Sequence, residues 1–270
     1  MSTGYHDIGA TSKAKIRPLH VKESMLILEK LGDKYDFMGY GGVSDKEMNL
    51  TNDANQSWRP DAVFYRCNGI NLDGAAKGAA IDYKGPFSNI IQNIDNYFKM
   101  FLSEASIVRP MDYLFAPFVM IPETAPYFSK DGVVMKLEKP AKPMIDKLRG
   151  LAETENAMDN AADLVGLCVY RLDDFDYGKI FTKEDYEKAL LNYKGKISYA
   201  EVAGIKTTGR FIFNDPNLFA EKYAKMITEK FSGTSKEDSF ARLFLETSVT
   251  DQVEYLRAHG KLPFVPSYID

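Results

Sequence analysis

Cysteine is nearly missing from this chain: there are two in 270 residues, Cys67 and Cys168, each inside an apolar run that reads as a strand. Cysteines so placed argue for reduced, buried thiols and against a disulfide framework or a thiol nucleophile. Histidine is as scarce. His6, His20 and His259 do not cluster, so neither the close ligand spacing of a zinc site nor that of a histidine-based metal nuclease is present. There is no Gly-x-x-x-x-Gly-Lys-Ser/Thr loop and no Gly-x-Gly-x-x-Gly turn, which excludes the familiar phosphate cradles and leaves no nucleotide cofactor to expect. No apolar run reaches the length of a membrane span, and the residues from Met1 to Asp7 lack the charged and apolar regions of a signal peptide. A cytoplasmic protein with no membrane partner is the expectation. An excess of positive charge is absent too. The net charge is -4 and the pI is near 5.6, so any nucleic-acid surface has to be a local patch.

What the chain does have is core material, with 45% hydrophobic and 13% aromatic residues, enough for one large domain spanning 1–270. Its organising stretch runs from Trp58 to Lys84 and reads as a β-hairpin. Asp61 heads the first strand, while Asp82 and Lys84 stand two apart on the second, and the period of a strand puts both on one face. Ile81 and Tyr83 then point the other way, into a core. Asn68-Gly69 and Asp73-Gly74 between the strands supply the positive φ angles of a tight return, which would bring Asp61 beside Asp82.

Two carboxylates aimed at one point suit Mg²⁺, a hard cation commonly held by one or two carboxylates, waters and substrate phosphate. A lysine beside them is not a ligand; it can orient an attacking water, lower its pKa and offset charge on a phosphorus-centred transition state. Metal-assisted hydrolysis of a phosphodiester is the chemistry that this set fits.

Pro60-Asp61, followed after a hairpin by Asp82-Tyr83-Lys84, resembles the PD-(D/E)XK nuclease superfamily, which includes most type II restriction endonucleases and the RecB-type exonucleases. The resemblance implies that Asp61 and Asp82 bind the metal together with the backbone carbonyl of Tyr83, and that Lys84 is the catalytic lysine. It also implies double-stranded DNA as substrate and a homodimer, since a duplex requires two cuts. Many members add a glutamate from the first helix; Glu23 is the candidate here, with Glu29 and Glu47 behind it. Helical glutamates are usually exposed, which makes a solvated surface charge the default reading of each. RecB-type members carry Gln and Tyr four residues apart on the helix after the lysine. Here Gln92 is followed by Asn96, with Tyr97 five away, which argues against that branch.

Along the chain, the first 18 residues are polar and read as an arm. Val21, Met25, Leu28 and Leu31 then mark the apolar face of a helix stopped by Gly32. Phe37 to Val43 reads as a strand and Ser44 to Ser57 as a polar loop. After Gly85-Pro86, the apolar stripe Phe87, Ile90, Ile91, Ile94, Tyr97, Phe98, Phe101, Leu102 is the clearest helical signal in the chain. Met111 to Ile121 reads as a buried strand that Pro117 forces into a bulge or an edge. Pro143 to Ala162 reads as a helix and Leu164 to Arg171 as a strand. The expected fold is therefore α/β: a restriction-endonuclease-like αβββαβ core over about residues 19–178, a mixed central sheet flanked by helices, and a mostly helical region over about 179–270.

That C-terminal region has its own signal. Lys183 to Asn192 and Ser198 to Ala203 read as helices, and Pro216 to Arg257 as helical again before an extended tail from Leu262 to Ile269. Tyr199 to Thr208 loosely resembles a helix-turn-helix, which would make Lys206, Thr207, Thr208 and Arg210 the DNA-contacting side chains. Phe211-Ile212-Phe213 fits a recognition helix poorly, and an ordinary helix–strand junction stands beside that reading. Asp173, Asp174 and Asp176 read as a solvated acidic loop. The functional expectation is a Mg²⁺-dependent endonuclease of the type II restriction kind. The alternatives are a low-specificity phage or repair nuclease of the same fold, or a non-enzymatic helix-turn-helix regulator.

Overall fold

The computed structural model describes residues 20–42, 49–66, 78–153 and 161–232. The expected N-terminal arm, Val43, Glu47, Cys67, the Asn68-Gly69 and Asp73-Gly74 turns, His6, His259 and the C-terminal tail lie outside the described residues. The chain is α/β, with a mixed sheet flanked by helices. Helix α1 covers residues 20–31 and is followed by strands β1 (Tyr35–Gly39), β2 (Leu50–Thr51), β3 (Ser57–Trp58), β4 (Ala62–Arg66) and β5 (Ala79–Lys84). Helix α2 (Ile90–Val108) leads to β6 (Leu114–Pro122), β7 (Ala125–Phe128), β8 (Val134–Glu138) and helix α3 (Ala141–Glu153). Then come β9 (Val165–Leu172), helix α4 (Lys183–Asn192), β10 (Ile197–Tyr199), β11 (Phe211–Phe213) and helix α5 (Pro216–Ser232). The central sheet runs β1-β4-β5-β6-β9-β10, with β11 also paired to β9; β2 with β3, and β7 with β8, form separate two-stranded ribbons. Within the central sheet the first elements follow the order α-β-β-β-α-β.

Two compact units divide the chain, each built from non-contiguous segments, and β5 and β6 run from one into the other. The first contains α1, β1, β4, the start of β5, the end of α2 and most of α5. β1 and β4 pair antiparallel from Tyr35↔Arg66 to Gly39↔Ala62, and β4 pairs antiparallel with β5 through Ala62↔Ile81. Rings join these layers: Phe37 lies 5.4 Å from Phe64, and Phe64 meets Tyr223 of α5 edge-on at 6.4 Å. Tyr223 Oη donates to the Ala80 carbonyl at 2.9 Å, so this buried phenol satisfies its polar end inside the core.

The second unit is built on β9, which pairs parallel with β6 on one side and with β10 (antiparallel) and β11 (parallel) on the other. Its strand is buried except at Arg171, as a central strand covered on both faces must be. Helix α2 is anchored at its start by Asn89, whose amide donates to the Phe128 carbonyl and whose carbonyl accepts from the Phe128 N–H. Thr182 and Asp185 form a reciprocal capping box on α4.

Several expectations are corrected here. Ser198–Ala203 holds no helix: β10 occupies its start, Gly204 and Gly209 turn with positive φ, and β11 follows. The helix-turn-helix is therefore absent: Ile197–Tyr199 pairs antiparallel and Phe211–Phe213 parallel with β9, so both segments are held as strands. The described part of the C-terminal region carries the expected helices α4 and α5, and adds the short strands β10 and β11, which complete the sheet beside β9. Within Ser44–Ser57, described from residue 49, the loop contains part of the β2–β3 ribbon, with Leu50 paired to Trp58. Pro117 lies in an inner strand rather than at an edge; the β6–β9 register begins at Phe118, so the donor that proline lacks falls outside that ladder. α3 ends at Glu153 before the undescribed residues, and Ala161 and Ala162 are buried but not helical. On α1 the buried face is Glu23, Ser24 and Ile27, while Met25 is 47% exposed.

Gly166 explains one tight contact. A Cβ there would run into the rings of Phe118 and Phe219, which meet edge-on 4.8 Å apart over the glycine. Gly166→Ala should overpack this core and lower stability by about 1–3 kcal/mol, measured as a lower urea midpoint with unchanged slope.

Candidate active site

Asp61 immediately precedes β4, and its N–H donates to the Ile81 carbonyl at 3.1 Å. The β4–β5 register continues through Ala62↔Ile81, which sets Asp61 beside the Ile81–Asp82 peptide of β5. The antiparallel β4–β5 pairing thus brings Asp61, one residue before β4, close to Asp82 on β5. What the alternation pattern misses is the surroundings. β5 is buried from Ala79 to Tyr83 and opens only at Lys84, and Asp82 is 3% exposed. β4 and β6 pair the two edges of β5, and at Asp82 the polar face is enclosed rather than solvated.

β1 helps to hold Asp61 in place. Gly39 pairs with Ala62 and has φ of +144°, and a Cβ there would collide with the Asp61 carbonyl oxygen. Only glycine combines that conformation with so close a backbone approach. Gly39→Ala should push Asp61 away from β1, destabilise the fold by about 1–3 kcal/mol and reduce any activity that depends on Asp61, checked by chemical denaturation alongside turnover.

The first helix contributes two further side chains. His20 Nδ1 stands 3.9 Å from Asp61 Oδ1, both side chains being largely buried. Glu23, one turn later on α1, is 6% exposed, so the expectation of a solvated surface charge is corrected. Its Oε1 is enclosed with no hydrogen-bond partner, and burial pushes its carboxyl up from 4.5 to about 8, Lys22 opposing the shift. Glu29, by contrast, is exposed. Among the described residues no three His, Cys, Asp or Glu side chains converge as a metal-binding group. Glu23 is therefore not brought into a trio with Asp61 and Asp82 among the described residues. His20 was legible only as an isolated histidine. The signal that could have found it is its i, i+3 spacing to Glu23, which places both on one helical face.

Lys84 is partly exposed, two residues beyond Asp82 on the same strand. It acts on Tyr97 of α2, whose phenol is pushed up by burial and pulled back by the Lys84 charge. Gln92 does not join them: its Nε2 donates to Glu138 Oε1 at 2.7 Å. Of the residues expected to contact DNA, Thr207 accepts the Phe213 N–H at its Oγ1 (3.0 Å) and Arg210 donates to the Ala162 carbonyl (3.3 Å). Both therefore have structural work, while Lys206 and Thr208 are exposed. Asp173, in the acidic loop, accepts from Arg171 and Ser198, which hold its carboxyl below the usual range.

In comparisons with known proteins, no family model, no curated protein and no solved structure matches the chain.

The raised Glu23 value makes a signed prediction. The folded protein holds that proton more tightly than the unfolded chain, so stability falls as pH rises from about 4.5 to about 8 and levels off above. In metal-free buffer Glu23→Gln should raise the melting temperature at pH 9 and change it little at pH 4, as followed by thermal denaturation.

Proposed function

We propose that the chain is a Mg²⁺-dependent endonuclease of PD-(D/E)XK type that hydrolyses phosphodiester bonds of double-stranded DNA. The observation that carries this reading is the strand pairing that sets Asp61 beside the Ile81–Asp82 peptide, with Lys84 two residues along the same strand. The α-β-β-β-α-β order of the elements supports it, because it is the order that the resemblance requires.

The donor set fits the cation. Asp61 and Asp82 offer carboxylate oxygens and Tyr83 a backbone carbonyl, all hard ligands, and two carboxylates are the usual protein share of a Mg²⁺ site that is completed by water and substrate phosphate. A bound Mg²⁺ would supply Lewis-acid polarisation of the phosphoryl oxygen. Asp82, held on an enclosed strand, fixes the position of one carboxylate, and Asp61 is fixed by its N–H bond to Ile81 and by the Gly39 contact. Lys84, at the open end of the strand, presents its ammonium to the attacking water and to the charge that develops on the phosphoryl group. Tyr97 lies within range of that ammonium, on the helix that follows. Two such sites, one in each copy of a homodimer, would cut both strands of a duplex.

Plasmid cleavage with purified variants tests this reading. Asp82→Ala should lose cleavage by a factor of about 10³ or more while still binding the duplex in Ca²⁺. Lys84→Ala should keep its metal affinity and lose turnover by about 10²–10³, without recovery in excess Mg²⁺. Full cleavage by Asp82→Ala would remove the site from the mechanism, and rescue of Lys84→Ala by added Mg²⁺ would make the lysine an aid to metal binding instead.

A further inference from the structure

DNA affinity in a chain of net charge -4 has to come from a local surface. The segment first expected to supply it is poorly suited, since the helix-turn-helix is absent and Arg210 and Thr207 are engaged within the fold. The β7–β8 ribbon offers a different one. From Ala125 to Lys142 the chain carries Lys130, Lys136, Lys139 and Lys142, all exposed, against Asp131 and Glu138. Glu138 is 4% exposed, and Lys136 lies 3.1 Å from it. The exposed charge from Ala125 to Lys142 is therefore predominantly positive, Lys130 and Lys136 belonging to the ribbon, Lys139 following it and Lys142 lying in the first turn of α3.

Its apolar residues are exposed as well. Val133, Met135 and Leu137 are 48%, 63% and 47% exposed, and Phe181, whose carbonyl accepts the Val134 N–H, is 67% exposed. Side chains of this size, gathered on one strand and on the segment bonded to it, mark a binding surface rather than scattered surface residues. The ladder slips at Tyr127/Phe128, leaving Met135 as the extra residue of a β-bulge; a bulge re-aims the side chain that it carries. A narrow two-stranded ribbon has the width to enter a DNA major groove.

We propose that the β7–β8 ribbon together with the start of α3 is the DNA-docking element of this protein, a reading that rests on the proposed nuclease activity. Lys130, Lys139 and Lys142 neutralise backbone phosphates, while Met135 and Leu137 pack against the sugars and base edges of the groove. Lys136 stays with Glu138. The lysines carry the salt-dependent affinity and the apolar pair carries a salt-independent part.

The test is a titration of a fluorescent 30-base-pair duplex at several salt concentrations, in Ca²⁺. It compares the wild type, the triple variant Lys130→Gln/Lys139→Gln/Lys142→Gln, and Met135→Ser. The triple variant should bind about tenfold or more weakly and lose close to 0.9 of logarithmic salt slope for each phosphate contact removed. Met135→Ser, an exposed position that should not disturb folding, should weaken binding with the slope unchanged. Wild-type slope and affinity in both variants would overturn the proposal, as would a parallel titration of phosphatidylglycerol vesicles in which the variants lose vesicle binding while keeping duplex binding. If the wild type binds the duplex through the ribbon but never cuts plasmid in Mg²⁺, the nuclease reading fails and the docking proposal stands. If it cuts and the ribbon variants bind normally, the docking proposal alone fails.

Discussion

The cost of enclosing carboxylates governs the region around β5. Asp82 and Glu23 are 3% and 6% exposed, and a carboxylate taken out of water is stable only if it is paired, hydrogen-bonded or protonated. The consequence is explicit at Glu23, whose proton is held to about pH 8. A fold has no structural need for an aspartate in the buried run of an inner strand, where an aliphatic residue would pack at lower cost. Such an expense is typical of positions kept for chemistry. A cation shared between Asp61 and Asp82 would offset part of that cost, which couples metal affinity to the stability of the strand itself.

The same constraint organises the neighbours. Gly39 allows β1 to come close to the Asp61 backbone, Ile81 accepts the Asp61 N–H, and His20 approaches the Asp61 carboxylate from α1. Three elements of one compact unit thus meet at Asp61, two of them against its backbone and His20 against its carboxylate. Lys84 differs in kind. It is the partly exposed end of a strand that is buried up to Tyr83.

Where the sequence carried a long periodic signal, it was legible. The hairpin strands around Asp61 and Asp82, helix α2, strand β9 and helix α4 stand close to where their patterns place them. The failures have physical causes. In α1 the apolar set Val21, Met25, Leu28 and Leu31 is real, but the face turned inward is Glu23, Ser24 and Ile27, and hydrophobicity alone cannot reveal that polar groups are buried at a site. Ser198–Ala203 is too short for helical and strand periods to be told apart, and its pairing with β9 decided for strand. The β7–β8 ribbon carries no strand signal in the sequence, because its exposed Met135 and Leu137 break the inside–outside alternation that identifies a strand. The same irregularity makes the ribbon a candidate surface. Of the site, the acidic pair and Lys84 were legible as a motif, whereas Gly39 and His20 act through contacts distant in sequence.

The proposed nuclease activity requires Asp61 and Asp82 to hold one cation between them. Titration of Mn²⁺ as a Mg²⁺ surrogate, followed by electron paramagnetic resonance, tests it in the wild type, Asp61→Ala, Asp82→Ala and the double variant. A shared ion predicts one site in the wild type, its near-complete loss in either single variant, and little further loss in the double. Wild-type binding in either single variant, or independent and additive losses in the double, would contradict a shared site.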